Sequence, residues 1–378
     1  MLLTQKYKLY RCKHISELHN QIDIAGIIYN HCIALHKRYY SLYGKSLNKY
    51  QLKKHITKLK KRPQHAFWSK LGSQAVQDVV LRIDKAYQLF FRNLKAGLRT
   101  VPPSFKKVKK YTSFTLTQAG WAYQGGNRLR IGSRIFKFSY SRPIEGKIKT
   151  VTIKRNRLNE LFVCFALETE YIRTEPLTGN SAGFDFGLKA FLTSSDGELI
   201  ISPEFFKQSQ KELARVQKRF ARTKQGSSTH RALKRQLASL HETIANRRRD
   251  WHFKLADTLT DTYDHLFFET LNLRGMKKLW GRKVSDLGFY GFLQILQHVA
   301  HKKGKRIDFI DRWYPSTKSC NGCGHKNDSL TLNDRLWRCT ECGCTQDRDT
   351  GAALNILREG IRAFCGGDVR QAQPAVAA

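Results

Sequence analysis

Acidic side chains are scarce here: the 378 residues carry 30 Asp and Glu against 68 Lys and Arg, a net charge of +38. So one-sided a field concentrates polyanions and ties their binding to salt through counterion release. A basic membrane-surface protein is the rival reading. It loses ground because the basic residues are spread along the whole chain rather than gathered in one amphipathic helix or tail. Long apolar runs are also missing. None approaches transmembrane length, and the N-terminus lacks the apolar core and cleavage site of a signal peptide. There is no internal repeat. Outside one cluster, cysteine occurs singly, at Cys12, Cys32, Cys164 and Cys365, as buried thiols do in a reducing compartment. What remains is 41% hydrophobic and 26% charged. That suffices for a sizeable core in about two to three domains and points to a cytosolic protein with a nucleic-acid partner.

The other five of the nine cysteines fall between 320 and 344. Cys320-Asn-Gly-Cys323 and Cys339-Thr-Glu-Cys342 are two Cys-x-x-Cys knuckles at a separation that closes a tetrahedral four-thiolate site, usually for zinc. Rubredoxin-like iron suits four thiolates as well. Cys344 is a substitute ligand, but the paired spacing favours Cys342, and His325 reads as a turn residue. Four thiolates fill the coordination sphere, so this metal is structural. In a ribbon too small to build a core it supplies much of the folding free energy. Chemistry must lie elsewhere.

Along the chain, residues 3–10 suggest an opening strand, and residues 15–43 and 74–98 turn helical. Val76, Val80, Ile83, Tyr87, Phe90 and Leu94 form one apolar stripe. Between these helices lies a basic stretch, Lys53 to Arg62. Several short strands within 112–170, punctuated by Gly125, Gly126, Gly132 and Gly146, make an antiparallel module with the N-terminal strand as a candidate member. A basic helical pair at 204–260, broken at Gly226, has its seam at Leu233, Leu237, Leu240 and Ile244. Buried strands at 265–270 and 306–311 alternate with helices, which predicts a mixed α/β sheet.

Three acids sit in or just beyond these buried elements. Asp185 lies in the first strand of the α/β region, Glu269 ends the run Leu266-Phe-Phe268, and Asp349 opens a helical segment. Any one of them alone reads best as a capping or turn residue. Three in one α/β region are a stronger case, because converging carboxylates hold two hard cations about 3.5–4 Å apart for phosphodiester hydrolysis. Asp349, Ala353, Leu357 and Ile361 are spaced by four, which turns Asp349 toward the sheet. Asp347 is better placed as a cap and is the reserve ligand.

GFDFGLK, FFETLNLRGM, PSTKSC, CTECG and DRDTGAALNI occur in the order found in the TnpB family, and the chain resembles that family over essentially its whole length. The resemblance extends to QDVVLRIDKAYQLFF, the β-rich middle and the CGGDVR tail. TnpB proteins are transposon-encoded, RNA-guided nucleases related to type V CRISPR effectors. The resemblance implies a multidomain α/β plus β architecture. Residues 1–10 and 100–178 would form a β-barrel-like wedge domain with a helical recognition lobe, 11–99, inserted. Residues 179–315 and 345–366 would form an RNase H-like (RuvC) nuclease domain, with a zinc-ribbon insertion at 316–344 and a disordered tail at 367–378. The family's three acids match Asp185, Glu269 and Asp349, which also sets Asp349 above Asp347. Gly351 departs from the family's usual Asn, and reduced activity would follow if that Asn orients the acid or the helix start.

The implied function is metal-dependent cleavage of double-stranded DNA complementary to a guide RNA from the element end, next to a short flanking motif. Two catalytic Mg²⁺ ions are implied, with Mn²⁺ able to replace them, together with structural Zn²⁺ and a cytoplasmic, nucleoid-associated location in a prokaryote. A nuclease-idle, RNA-guided repressor is the alternative, and a strand-joining transposase a more distant one. Candidate nucleic-acid contacts are Lys58, Lys60, Lys61 and Arg62 on phosphate, and Gln74 and Gln77 on the flanking motif. Arg247, Arg248 and Arg249 are candidates along the heteroduplex channel. Arg348, between two acids, either balances their charge or meets a phosphate.

Overall fold

Strict alternation in Leu161–Glu168 sends Leu161, Val163, Phe165 and Leu167 to the buried side, the period-2 pattern of a strand with one face on a core. The computed structural model describes residues 2–169, 177–331 and 334–364, in two units, Met1–Tyr171 and Ile172–Ala378. Cys365, the tail at 367–378 and residues 170–176 of the expected β-rich segment lie outside the described residues.

In the first unit, β1 (Leu2–Lys8) precedes helices α1 (Ile15–Tyr43), α2 (Lys49–Lys60) and α3 (Ser73–Lys95). Strands β2 (Ser113–Leu116), β3 (Trp121–Tyr123), β4 (Arg128–Ile131), β5 (Arg134–Lys137), β6 (Lys147–Arg155) and β7 (Leu161–Glu168) follow. The N-terminal strand does join the module: β1 pairs antiparallel with β7 along its length, in a sheet ordered β1-β7-β6-β2 beside a second, β3-β4-β5. The basic stretch Lys53 to Arg62 is largely helical, because Asn48 and Gln51 close a capping box at the start of α2. One expectation needs correcting. The apolar stripe of α3 is buried only through Ile83, and Leu94 is exposed. His36 of α1 stacks on Tyr87, and the exposed Leu89, Phe91 and Leu94 follow it on α3.

The second unit contains β8 (Ser181–Asp185), β9 (Leu192–Ser194), β10 (Leu199–Ile200), α4 (Phe205–Ala221), α5 (Ser228–Thr262) and β11 (His265–Glu269). It continues with α6 (Leu273–Leu287), α7 (Phe289–Lys303), β12 (Arg306–Ile310), β13 (Leu336–Arg338), β14 (Thr345–Asp347) and α8 (Arg348–Phe364). The main sheet is ordered β10-β9-β8-β11-β12. β8, β11 and β12 run parallel, and β9 is antiparallel to both its neighbours. In strand 265–269, Phe267 packs with Ile356 of α8, while Leu266 and Phe268 join the cluster formed with α5 and α7. Helices on both faces explain why this strand reads as a continuous apolar run.

Helix α8 lies very close to the sheet. A Cβ on Gly183 would stand 2.3 Å from the Ala353 carbonyl oxygen and 2.5 Å from the Leu357 nitrogen, both backbone atoms. Gly183→Ala is therefore expected to push α8 off β8 and destabilise the unit by about 1–3 kcal/mol, as overpacking does. A urea midpoint equal to that of the unchanged protein would refute this.

Candidate active site

The ladder that pairs β8 with β11 ends at Phe184 opposite Phe268, so Asp185 and Glu269 stand one step beyond it on neighbouring parallel strands. Side chains alternate faces along a strand. Gly183 and Phe267 face α8, so Asp185 and Glu269, two residues on, face it too. α8 carries Asp349 in its first turn. Asp347 caps that turn, its Oδ1 accepting from the N–H of Asp349 (3.0 Å) and of Thr350 (2.9 Å). The cap needs no Asn at 351, where the Gln346 amide lies against the backbone instead.

Burial pushes Asp185 well above the ordinary carboxylate range, and the negative charges of Glu269 and Asp349 push it further. Burial raises Glu269 as well, against a 3.5 Å hydrogen bond from Ser316 Oγ to its Oε2. Carboxylates held this way are costly without a counter-ion, and an all-oxygen donor set suits a hard divalent cation such as Mg²⁺. Among the described residues, though, only the cysteines bring three or more metal-ligand atoms within 4.8 Å of one another. The Asp349 carboxylate is held by arginines: Arg348 donates to Oδ1 at 3.0 and 3.1 Å, and Arg335 donates to Oδ2. The β13–β14 register accounts for the second of these. Leu336 pairs with Asp347, and the Arg348 N–H donates to the Arg335 carbonyl at 2.8 Å, so both arginines flank Asp349.

Arg335 was not found by sequence reasoning. Its only signal is one basic residue before β13, fourteen positions from its partner in a chain rich in arginine. Arg335 competes directly for an oxygen that a bound cation would need. Arg335→Ala should lower the Mg²⁺ concentration for half-maximal binding by about three- to tenfold, the scale of a partly exposed charged pair. A magnesium titration that gives the same or a higher midpoint would contradict this.

The four cysteines fit a tetrahedral thiolate site. Sγ–Sγ separations of 3.6 Å for Cys320–Cys342 and for Cys323–Cys339 compare with about 3.8 Å between thiolates bound at 2.3 Å. Cys344 lies beside the cluster, with its Sγ 3.9 Å from Asn321 Oδ1. The backbone carbonyl of His325 accepts from the Cys320 N–H at 2.9 Å, which is a turn role. The ribbon is fastened to α8. Buried Asn355 donates to the carbonyls of Ser316 (2.8 Å) and Ser319 (2.7 Å), and Arg358 donates to that of Asn321 (2.7 Å). The buried face of α8 accordingly runs through Ala352, Ala353, Asn355, Ile356 and Gly360, with Leu357 and Ile361 only partly buried.

The candidate nucleic-acid contacts separate into outward and inward groups. Lys58, Lys61, Arg62, Arg247 and Arg249 are exposed, the last with its guanidinium 5.6 Å over the Phe253 ring. Arg348 is buried and lies on Asp349, the arrangement that the charge-balance reading expects. Arg248 turns inward to the carbonyls of Ser285 (2.7 Å) and Asp286 (3.0 Å). Lys60 donates to the Leu71 carbonyl at 3.1 Å, and burial lowers its pKa. Gln74 accepts from Thr117 Oγ1 at 2.5 Å, and Gln77 is half-buried on α3. Among the described residues, no helix is long and apolar enough to cross a membrane.

Residues 163–279 match the family model described as "Probable transposase", and residues 289–356 match that of the "Cas12f1-like, TNB domain". The chain is 30% identical over 372 residues to a putative RNA-guided DNA endonuclease of Streptomyces pristinaespiralis, covering 96% of this chain and 90% of that one. It is 26% identical to the putative RNA-guided DNA endonuclease InsQ of Escherichia coli, over 80% of this chain and 78% of that one. In the solved Cas12f1–sgRNA–target DNA complex the protein shares the fold at a TM-score of 0.59 and 14% identity, with 91% of this chain and 83% of that one covered. With two family models matched along one chain and 30% identity to a relative over nearly the full length of both, this protein belongs to the TnpB family.

Proposed function

We infer that the protein is an RNA-guided DNA endonuclease of transposon origin, cutting DNA complementary to its guide RNA beside a short flanking motif. The observation that carries this reading is the placement of Asp185, Glu269 and Asp349 around the C-terminal ends of β8 and β11, where burial and mutual repulsion raise Asp185. The strand order 3-2-1-4-5 with the second strand antiparallel supports an RNase H-like, RuvC-type domain. The β-rich segments 1–10 and 100–178 serve as wedge and residues 11–99 as recognition lobe.

Asp185, Glu269 and Asp349 would hold two Mg²⁺ ions, and Cys320, Cys323, Cys339 and Cys342 would hold zinc. When bound, Mg²⁺ would supply a nucleophilic water at neutral pH and charge neutralisation at the scissile phosphate. The protein's own part is placement. The strand ends fix two carboxylates from behind, Ser316 orients Glu269, and Asp347 holds the helix start that carries Asp349. Arg335 and Arg348 keep positive charge beside the site before DNA arrives, and in-line attack leaves a 3′-hydroxyl and a 5′-phosphate. Exposed Lys58, Lys61, Arg62, Arg247 and Arg249 grip phosphate without reading sequence.

The test is direct. Protein purified from cells carrying its flanking locus is incubated with Mg²⁺ and DNA that matches or mismatches the co-purified RNA. Cutting confined to matched DNA is the expected outcome. Tight guided binding with no cutting would favour the repressor instead.

A further inference from the structure

Two neighbouring aromatics past the end of β12 behave in opposite ways. Tyr314 packs into the cluster of Phe267, Ile310 and Ile356 beneath α8, whereas Trp313 is 80% exposed. Among the described residues Trp313 is the most exposed aromatic ring, a large flat surface offered to a partner. The segment is well held. Asp311 Oδ1 accepts from the Trp313 N–H at 2.7 Å, and the Ser316 N–H donates to the Tyr314 carbonyl at 2.8 Å. Asn355 fixes the Ser316 carbonyl, and Ser316 Oγ reaches Glu269. Ile310, three residues before the tryptophan, pairs with Glu269 in the sheet. Trp313 thus lies three residues past the strand partner of Glu269 and three before the serine that reaches its carboxylate. The Arg312 guanidinium lies 5.1 Å from the ring centroid, so a cation sits against the indole.

We propose that Trp313 is a stacking platform for one base of the unpaired DNA strand next to the scissile phosphate, with Arg312 beside it for the backbone. The proposal rests on the nuclease reading. Guide pairing leaves DNA single-stranded, and its bases must be splayed to bring one phosphate among the acids. A positively charged, aromatic patch is the surface that holds such a strand without reading its sequence. Trp313 is a positioning residue here, acting on the strand and not on the reacting atoms.

The test uses guide-loaded protein and pre-bound matched DNA in single turnover. Trp313→Ala is expected to slow cutting about ten- to hundredfold, the range of one lost base–aromatic stack, with guided DNA binding unchanged and Trp313→Phe restoring most of the rate. A scan of abasic nucleotides across the cut region should find one position that slows the unchanged protein by a similar factor. At that position the defect should not compound with Trp313→Ala. Equal rates for the alanine variant, or defects that multiply at every position, would overturn the proposal. If the unchanged protein cuts nothing, the nuclease reading fails and a second arm decides the platform. Asp185→Asn protein is loaded with DNA carrying 2-aminopurine at successive positions. Quenching at one position that disappears with Trp313→Ala supports the platform, and no such position refutes it.

Discussion

Asp185→Asn should abolish guided cleavage, by about a thousandfold or more, while leaving guided DNA binding intact and making the metal-free protein more stable. The loss follows from position. Asp185 is the strand-end carboxylate between the charges of Glu269 and Asp349, and an amide cannot offset cationic charge at the site. The gain follows from the same burial. The folded-state pKa of Asp185 lies well above its usual 3.8, so the folded protein holds this proton longer than the unfolded chain does. In metal-free protein this group's contribution to stability is therefore favourable at low pH. It falls as pH rises from the unfolded pKa through the folded one. Asn removes that penalty. The expected stabilisation is about 1–3 kcal/mol at neutral pH in chelator, shrinking toward zero below pH ~4. Thermal melts of both proteins across pH in EDTA, paired with cleavage assays in Mg²⁺, test both halves. A destabilised Asn variant would mean that the carboxylate is structural, and retained cleavage would remove Asp185 from the site.

Replacing Cys320 with Ser should eliminate the bound zinc, unfold the ribbon and with it most cleavage, while the five-stranded sheet stays folded. Among the described residues the ribbon's buried cluster contains only Cys320, Trp337 and Cys339, with Leu330 and Cys344 against it. A core that small cannot offset the ordering entropy of the segment, so metal binding, on the order of 10–16 kcal/mol for structural zinc, holds it. Its loss frees Arg335 from Asp349 and slackens the Ser316 and Ser319 carbonyls to which Asn355 is bonded. Cys344→Ser is the control and should keep one equivalent of zinc, because the metal-competent set is Cys320, Cys323, Cys339 and Cys342. Metal content by mass spectrometry and hydrogen exchange of residues 316–347 decide the matter. Zinc retained in the Cys320 variant, or lost in the Cys344 one, would reassign the ligands.

Much of this site can be read along the chain because its signals are local. A short, continuously buried apolar run marks the strand that ends in Glu269, and Ala182–Phe184 does the same for the strand that ends in Asp185. The i, i+4 spacing after Asp349 marks a helix with that acid in its first turn, and the paired knuckles select four cysteines out of five. The last position of a strand and the first turn of a helix are set within a few residues, so sequence alone determines them. Partner choice across long separations is different. Which partner Arg348, Arg248 or Lys60 takes is not encoded in its neighbours, since Arg248 and Lys60 sit in basic stretches where every residue looks alike and Arg348 stands between two acids. Only the folded chain turns Arg348 onto Asp349 and Arg248 onto Ser285, and leaves Arg247 and Arg249 outside.

The sequence by itself determined the elements, the acids and the thiolates. The tertiary structure decided that Arg335 meets Asp349, that Asn355 fastens the ribbon to α8, and that Trp313 stands out in water past the end of β12. The two pairings join residues 14 and 39 positions apart across a ribbon whose strands β13 and β14 bracket Cys339 and Cys342. Register is a property of the paired strands, so a periodicity that reads three or four residues at a time does not contain it.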